Sequence, residues 1–309
     1  MRAISKATTH QIIVDENSEG QRLDNFLIKI VKTIPKNHIY KIIRKGEVRV
    51  NSRRCRAGYR LEYNDKIRIP PLEILDTKKI NKGRPELISS QIVYEDDHLL
   101  IVNKPSGIAV HGGSGISQGI IESLRKRDDG QYLELAHRLD RNTSGVLVLA
   151  KNRKALISLH QQFRNGQIIK KYNTLVSSKW PFKRKIAEFP LLRTHRQGGE
   201  RHVIINKSGQ EAKTLFHLIE KKKKFCLLEA QPFTGRTHQI RVHLAHIGYP
   251  VAGDDKYGDD NLNKLVEREK NKRMFLHAKS LKFDHPSTGK VFRVAVELPS
   301  SFNTLLTSD

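Results

Sequence analysis

The spacing of apolar residues near the start of the chain predicts two short helices. In the first, five apolar residues fall at intervals that place them on one helical face: Leu23, Phe26, Leu27, Ile30 and Val31. The same spacing at Ile39, Ile42 and Ile43 predicts a second helix, which Gly46 ends. The first periodic part of the chain is therefore helical.

A strand pattern follows these helices. In the segments "EVRVN" and "DKIRIP", apolar residues alternate with charged ones, as is typical of half-buried strands. The apolar members are Val48, Val50, Ile67 and Ile69. Together with the helices, these strands predict a small folded domain over residues 21–80.

Two segments without clear periodicity flank this domain. Residues 1–20 are predicted as a polar N-terminal arm with one apolar patch, Ile12-Ile13-Val14. Periodicity is lost again in "PLEILDTKKINKGRPELISS", which is rich in Pro, Gly and Lys, and residues 81–90 are predicted as a linker. Residues 91–309 then form a second, larger domain.

Strand patterns outnumber helical ones in this larger domain. The segment "QIVYEDDHLLIVNKPSG" indicates two strands joined by an acidic turn, and Lys221 to Lys224 indicate a hairpin turn between "TLFHLIE" and "FCLLEAQPF". One clear helix is predicted from Lys154 to Arg164. Because strands and helices do not alternate regularly, we predict an α+β fold with a mixed, mostly antiparallel sheet.

The excess of positive charge indicates what kind of molecule the protein binds. The formal net charge is +25, and residues 22–84 contain 18 Lys/Arg against 6 Asp/Glu. This surplus favours a polyanion, and nucleic acid is preferred over a membrane surface because no long basic amphipathic helix with bulky aromatics is present. The predicted contacts of the small domain with nucleic acid are Lys41, Arg44, Lys45, Arg49, Arg53 and Arg54.

Several classes of protein are excluded by composition. No apolar run approaches the roughly 20 residues of a membrane span, and the N-terminus lacks a secretory signal, so a cytoplasmic location without membrane attachment is expected. Cys55 and Cys226 lie far apart and predict neither a disulfide framework nor a cysteine zinc site. The segment "HGGSGISQG" lacks the ending of a phosphate loop, so no nucleotide cofactor is expected.

The stretch "AHRLDRNTSGVLVLAK" contains the first candidate for chemistry. Its apolar end predicts a buried strand, so Asp140 lies in a loop that leads into the sheet. A polar loop of this kind is most often an ordinary turn whose side-chain oxygens satisfy backbone donors. Two features favour a carboxylate held for chemistry: Arg138 and Arg141 flank it, and Gly145 permits a tight turn.

A second candidate lies in "PFTGRTHQIRVHLAHIGYP". If "HQIRVHL" is a strand, Arg241 shares one face with Gln239 and His243. An arginine directed into a cleft from this strand could pair with Asp140 and keep the carboxylate ionised.

Two further candidates are weaker. A metal site formed by His238, His243 and His246 fits no usual ligand spacing, so no metal is predicted. Tyr172, in "IIKKYNTLV", is expected to be a strand packing residue unless it lines the same cleft as Asp140.

The motifs "HRLDRNTSG" and "GRTHQIRVH" resemble those of the RluA-type family of RNA pseudouridine synthases. Supporting stretches, in the family's order over nearly all of residues 91–295, are "YEDDHLLIVNKPSGIAVHGGSG", "KKYNTLV", "GDDKYG" and "LHAKSLKFDHP". The segment from Gln21 to about Pro70 looks like an S4-type RNA-binding module. The combination most resembles the subfamily that acts on large-subunit (23S) ribosomal RNA.

This resemblance implies an S4-like RNA-binding domain followed by a pseudouridine synthase catalytic domain. The implied enzyme is a monomeric isomerase that acts on 23S ribosomal RNA or its large-subunit precursor and needs no cofactor. The family's reacting carboxylate corresponds to Asp140, its cleft arginine to Arg241, and its base-stacking tyrosine to Tyr172. Its motif arginine corresponds to Arg138, which fills the space that the flipped base leaves, while Arg141 holds a phosphate.

Two other functions are open at this point. One is an RNA-binding or ribosome-assembly protein that performs no chemistry, which the S4-like unit alone does not exclude. The other is a synthase that acts on transfer RNA or small-subunit RNA. The set Asp140, Tyr172 and Arg241 favours catalysis, but the sequence leaves open whether Asp140 attacks the base, attacks the sugar or removes a sugar proton.

Overall fold

In a computed structural model, the chain forms two compact units, residues 1–82 and 83–309. The residues that the structure describes are 9–31, 34–72, 91–112, 119–127, 132–195, 201–269 and 271–308. The predicted linker, residues 81–90, and residues 113–118 of the glycine-rich segment lie outside them. No helix within the described ranges is long and apolar enough to cross a bilayer.

The first unit contains two helices and a four-stranded antiparallel sheet with the strand order β1-β4-β2-β3. The elements are β1 (His10–Ile13), α1 (Leu23–Ile30), α2 (Lys36–Lys45), β2 (Arg49–Val50), β3 (Arg53–Arg54) and β4 (Lys66–Ile69).

Both helices of this unit follow from the apolar spacing. Leu23, Phe26 and Leu27 of α1 are buried in the same cluster as the isoleucines of α2. Gly46 ends α2 with a φ of 73°, in the left-handed region that suits glycine. The helices predicted from sequence are therefore confirmed.

The prediction of an arm over residues 1–20 is wrong for its described part. His10–Ile13 forms β1, which pairs with β4 along four residues, and Val14 is buried in the core. Pairing with β1 satisfies the backbone groups along one side of β4, which would otherwise be an open sheet edge. A single short apolar patch does not reveal this pairing, because its partner lies more than fifty residues away.

The second unit contains twelve strands and five helices within the described residues. Its strands are β5 (Ile92–Glu95), β6 (Leu99–Lys104), β7 (Glu134–Leu135), β8 (Ser144–Ala150), β9 (Ile169–Ser177), β10 (Arg184–Glu188), β11 (Leu191–His195), β12 (Arg201–Ile205), β13 (Lys213–Lys221), β14 (Phe225–Pro232), β15 (Leu276–Asp284) and β16 (Val291–Ala295). Its helices are α3 (Ile120–Arg127), α4 (Arg153–Arg164), α5 (Gln239–His246), α6 (Asp260–Arg268) and α7 (Ser300–Thr307).

Ten of these strands form one sheet, whose main order is β10-β13-β14-β9-β15-β8-β6-β5. Its pairs are antiparallel except for β8 and β15, which are parallel. Strands β11 and β12 form a separate two-stranded sheet. The predicted α+β fold with a mixed, mostly antiparallel sheet is therefore confirmed.

Strand β8 lies at the centre of the core and is buried along its whole length. Val146 and Val148 pack in the cluster that contains Leu159 of α4. The alternate residues Leu147 and Leu149 pack in the cluster that contains Leu124 of α3. The strand thus has apolar packing on both faces, which explains its uninterrupted apolar sequence and fixes the loop before it.

The segment "HQIRVHL" is not a strand as predicted, because from Gln239 onward it belongs to helix α5. Ile240, Val242 and Leu244 alternate with polar residues, which imitates a strand pattern. In the structure, six successive residues from Gln239 to Leu244 are buried. A helix that is enclosed on nearly all sides has no amphipathic period from which its sequence could be recognised.

Candidate active site

The loop between β7 and β8 holds Asp140 just before β8, an inner strand of the large sheet. Its side chain is 30% exposed, so the carboxylate is neither buried nor free in solvent. Gly145, the second residue of β8, has a φ of 110°, and a Cβ atom there would collide with the carbonyl oxygen of Ala278. Only glycine permits this approach of β8 to β15, so Gly145 serves a close contact between two strands and not the tight turn that was predicted.

A buried lysine fixes the loop that bears Asp140 through hydrogen bonds to backbone carbonyls. Lys104, at the end of β6, is inaccessible to solvent and its Nζ donates to the carbonyl oxygens of Pro105, Ile108 and Arg141 at 2.7–2.9 Å. Burial lowers the pKa of Lys104 to about 7, against the opposing effect of the Asp140 charge. Three carbonyl acceptors match the three donors of an ammonium group, so this geometry favours the protonated form.

Arg241 connects Asp140 to a second, buried carboxylate. Its Nε and Nη2 donate to the two oxygens of Asp254 at 2.7 and 2.8 Å, and its Nη1 donates to Asp140 Oδ2 at 3.1 Å. Burial raises the pKa of Asp254, but the hydrogen bonds and charge of Arg241 outweigh this, so the net pKa is lowered. Arg241 and Asp140 meet as predicted, although the arginine comes from a helix and its orientation is set by Asp254.

Tyr172 lies on β9, directly opposite Ala230 of β14 and Ala278 of β15. Its ring packs against two apolar clusters, one that contains residues of α3 and one that contains residues of α5. Burial and, secondarily, the charge of Asp140 raise the pKa of the Tyr172 hydroxyl. The phenol is therefore protonated at neutral pH and lies near the carboxylate.

The two arginines beside Asp140 differ in their contacts. Arg141 donates its Nε to the carbonyl oxygen of Gly107 at 2.9 Å, so part of its guanidinium holds two loops together. Arg138 is exposed, and no partner for its side chain is found among the described residues. Of the two, Arg138 is the one whose whole guanidinium is available to a ligand.

The three histidines considered as metal ligands have separate environments. His243 is fully buried, and its two ring nitrogens lie 3.0 Å from Thr214 Oγ1 and 3.1 Å from the carbonyl oxygen of Phe189. His246 packs edge-on against the ring of Phe189. His238 lies instead beside Asp140, with 3.8 Å between its Nε2 and Asp140 Oδ2.

Five of the six basic residues predicted as contacts with nucleic acid are exposed in the first unit. Lys41, Arg44 and Lys45 are exposed on α2, Arg53 and Arg54 are exposed on β3, and Arg49 on β2 is half-buried. In the sheet register, Arg49 lies opposite both Arg54 and Arg68. Like charges in directly opposite positions repel, so this row favours a bound polyanion.

The sequence patterns did not indicate a role in the site for Lys104, Asp254 or Tyr257, although all three lie in the motifs quoted above. A lysine at the end of an apolar strand is a weak signal of a buried charge. The acidic pair in "GDDKYG" indicates nothing about which carboxylate is buried, and in the structure Asp254 is buried while Asp255 is exposed.

Two family models match the chain. Residues 98–246 match the model described as RNA pseudouridylate synthase, and residues 21–67 match the S4 domain. These ranges fall in the second and the first unit, respectively.

Relatives match over almost the whole chain. Ribosomal large subunit pseudouridine synthase C from Buchnera aphidicola subsp. Schizaphis graminum (strain Sg) is 46% identical and covers 97% of this chain and 98% of its own length. The protein of the same name from Escherichia coli (strain K12) is 44% identical, with 96% and 95% covered. Among solved structures, Human RNA Pseudouridylate Synthase Domain Containing 1 matches with a TM-score of 0.60 and 26% identity, over 72% of this chain and 90% of that one. The chain therefore belongs to the RNA pseudouridylate synthase family.

Proposed function

We propose that this enzyme converts specific uridines of 23S large-subunit ribosomal RNA to pseudouridine, with Asp140 as the reacting carboxylate. The observation that carries this proposal is the placement of Asp140: partly exposed, on a loop fixed by Lys104, and bonded through one oxygen to the buried Arg241. A hydrogen bond from a permanently charged guanidinium stabilises the carboxylate anion that the chemistry requires.

The isomerisation requires only what these residues supply. The C1′–N1 bond of the uridine breaks, the base turns, and C1′ bonds to C5; C5 then loses its proton while N1 takes one up. No electrons enter or leave, and no group is transferred from another molecule. An ionised oxygen held against the nucleoside provides the nucleophile or base, and we assign this role to Asp140.

Tyr172 and the two loop arginines complete the proposed site. The Tyr172 ring, held between two neighbouring strands, supplies a flat surface on which the target base stacks. Its protonated hydroxyl takes part in the late loss of the C5 proton as a relay, in which the phenol oxygen accepts that proton and gives up its own. Arg138 fills the space that the base vacates in the RNA, and Arg141 binds a phosphate with the nitrogens that do not contact Gly107.

Two observations support large-subunit ribosomal RNA as the substrate. The near full-length relatives carry that substrate class in their names. The first unit presents an S4 domain with a cluster of exposed basic residues, which gives affinity for the RNA backbone without reading sequence. We therefore assign affinity to the S4 domain and the choice of uridine to the cleft around Asp140.

Comparison of pseudouridine maps of total RNA, from cells with and without this protein, tests the substrate. We expect the loss of individual sites in 23S ribosomal RNA and their return when the wild-type chain is supplied. Loss confined to transfer RNA or small-subunit RNA would contradict the substrate, and a map without any change would contradict the function in those cells.

The role of the S4 domain leads to a prediction about salt. Replacement of Lys41, Arg44 and Lys45 by alanine is expected to weaken RNA binding and to reduce the steepness of its salt dependence. Each lost phosphate contact lowers the slope of log K against log salt by about 0.7–0.9. A matched variant with alanine at Lys154, Arg164 and Lys264, which are exposed in the other unit, loses the same charge and should retain most of the slope. Equal slopes for the two variants would disprove the assignment.

A further inference from the structure

His238 has an unusual backbone conformation beside the carboxylate. It precedes α5 with φ 55° and ψ 19°, in the left-handed region that few residues other than glycine adopt. This conformation places its ring, with a side chain that is 14% exposed, between Tyr257 and Asp140. Strained backbone of this kind persists where the surrounding contacts hold it, and it is frequent at functional sites.

The hydrogen bonds of Tyr257 determine which ring nitrogen of His238 carries the proton. The Tyr257 hydroxyl oxygen accepts the backbone N–H of Val203 at 3.0 Å and lies 2.8 Å from His238 Nδ1. Within the described part of the chain, the hydroxyl proton has no other acceptor, so it is donated to Nδ1. The neutral imidazole then carries its proton on Nε2, which is the nitrogen that faces Asp140 Oδ2.

The two oxygens of Asp140 are therefore in different environments. Oδ2 receives the hydrogen bond of Arg241 Nη1 at 3.1 Å and faces the Nε2–H of His238 at 3.8 Å. Among the described residues, Oδ1 accepts no side-chain hydrogen bond. The oxygen with free lone pairs on this partly exposed carboxylate is Oδ1.

We propose that His238, oriented by Tyr257, is a positioning residue that holds Asp140 Oδ2 so that Oδ1 is the oxygen that meets the nucleoside. This inference rests on the proposed function and names a residue that acts on the carboxylate and not on the RNA. The distance of 3.8 Å is too long for a hydrogen bond in the free enzyme. It shortens when the substrate closes the cleft, as catalytic hydrogen bonds commonly do.

Burial, assisted by two nearby cations, favours the neutral form of His238. Burial lowers the pKa of His238, the charge of Asp140 opposes this, and Arg241 and Lys256 lower the pKa further, while Asp254 opposes them. The tyrosine hydroxyl adds a hydrogen bond that only the unprotonated Nδ1 can accept. A neutral imidazole donates to Asp140 without neutralising the charge that the reaction uses.

Tyr257→Phe tests this positioning. The substitution keeps the ring that lies 5.0 Å from the Arg241 guanidinium and removes only the hydroxyl. We expect the single-turnover rate of pseudouridine formation to fall about five- to tenfold, as for the loss of one hydrogen bond, with affinity for RNA within about twofold. Tyr249→Phe is the matched control, because Tyr249 packs by its ring in the Trp180 cluster, and its rate should equal that of the wild type.

The pH dependence separates positioning from a structural role. Without the hydroxyl, the unprotonated form of His238 loses a hydrogen bond, so the pKa of the imidazole rises. The acid limb of the rate profile is then expected to move to higher pH in Tyr257→Phe and not in Tyr249→Phe. Unchanged profiles and rates in both variants would overturn the inference.

A double-mutant cycle with His238→Asn completes the test, since asparagine tolerates the left-handed conformation but is too short to bridge Tyr257 and Asp140. If Tyr257 acts through His238, the double variant should be no slower than His238→Asn alone. Additive losses would overturn the inference. If Asp140→Asn is inactive while Tyr257→Phe and His238→Asn are both fully active, the positioning role is wrong and the proposed function stands. If Asp140→Asn is active, the proposed function itself is wrong.

Discussion

Asp140→Asn is expected to reduce pseudouridine formation by about 10³-fold or more while RNA affinity changes by less than about twofold. Asparagine has the shape of aspartate and retains an oxygen that can accept the Arg241 hydrogen bond. It lacks the negative charge and the second oxygen that can act as nucleophile or base. Because the Asp140 loop is fixed by Lys104 and Gly145, the backbone should keep its conformation.

Single-turnover conversion of an RNA fragment and a binding titration with the same fragment measure both quantities. Asp97→Asn serves as the control, because Asp97 is exposed in the turn between β5 and β6 and loses the same charge. Retention of conversion by Asp140→Asn would refute the role of the carboxylate. Lost conversion by Asp140→Asn with unchanged RNA binding would also exclude the alternative that this chain is an RNA-binding protein without catalytic activity.

Arg241→Met is expected to lose both stability and activity. The substitution leaves Asp254, whose side chain is inaccessible to solvent, as a buried carboxylate without its cation. Removal of one member of a buried ion pair costs about 3–5 kcal/mol in the free energy of unfolding. The same change removes the donor to Asp140 Oδ2, so conversion should fall with it.

The double variant Arg241→Met/Asp254→Asn separates these two effects. Neutralising Asp254 removes the unpaired charge, so urea denaturation should show that much of the lost stability returns. Conversion should stay low, because Asp140 still lacks its partner. Recovery of activity together with stability would show that Arg241 serves only the fold.

The pH dependence of stability should differ in sign between wild type and Arg241→Met. In the wild type, the pKa of Asp254 is below its ordinary value of 3.8, so its stabilising contribution is complete above that pH and is lost as the pH falls through the lower folded value. In the variant, burial without a cation raises the pKa, so the variant should gain stability relative to the wild type as the pH falls from 7. Parallel stability curves would contradict this account of the pair.

Much of the fold could be predicted because local periodicity reports which side of an element faces the core. The spacing of Leu23, Phe26 and Leu27 was sufficient for α1, and the charged turn between two apolar runs was sufficient for the hairpin of β13 and β14. The loop position of Asp140 followed from the fully apolar strand behind it. The surface charge of the first unit followed from the count of Lys and Arg.

Helix α5 shows where this reasoning fails. Its side chains are buried on nearly all sides, so burial imposes no period on its sequence, and the alternation at Ile240, Val242 and Leu244 was read as a strand. Whether a segment is enclosed on every side depends on elements that are distant in the chain. The strand β1 was missed for the same reason, since its partner β4 is remote.

The sequence by itself determined the residue types of the site and the loop that bears Asp140, and its resemblance to a known family implied the pairing of that carboxylate with Arg241. Only the tertiary structure decided that Asp254 orients this arginine, that Lys104 supports the loop, and that the Tyr257 hydroxyl lies against His238 Nδ1. These contacts depend on distances between individual atoms of different elements. Periodicity and composition carry no information about such distances, because they follow from how the elements pack.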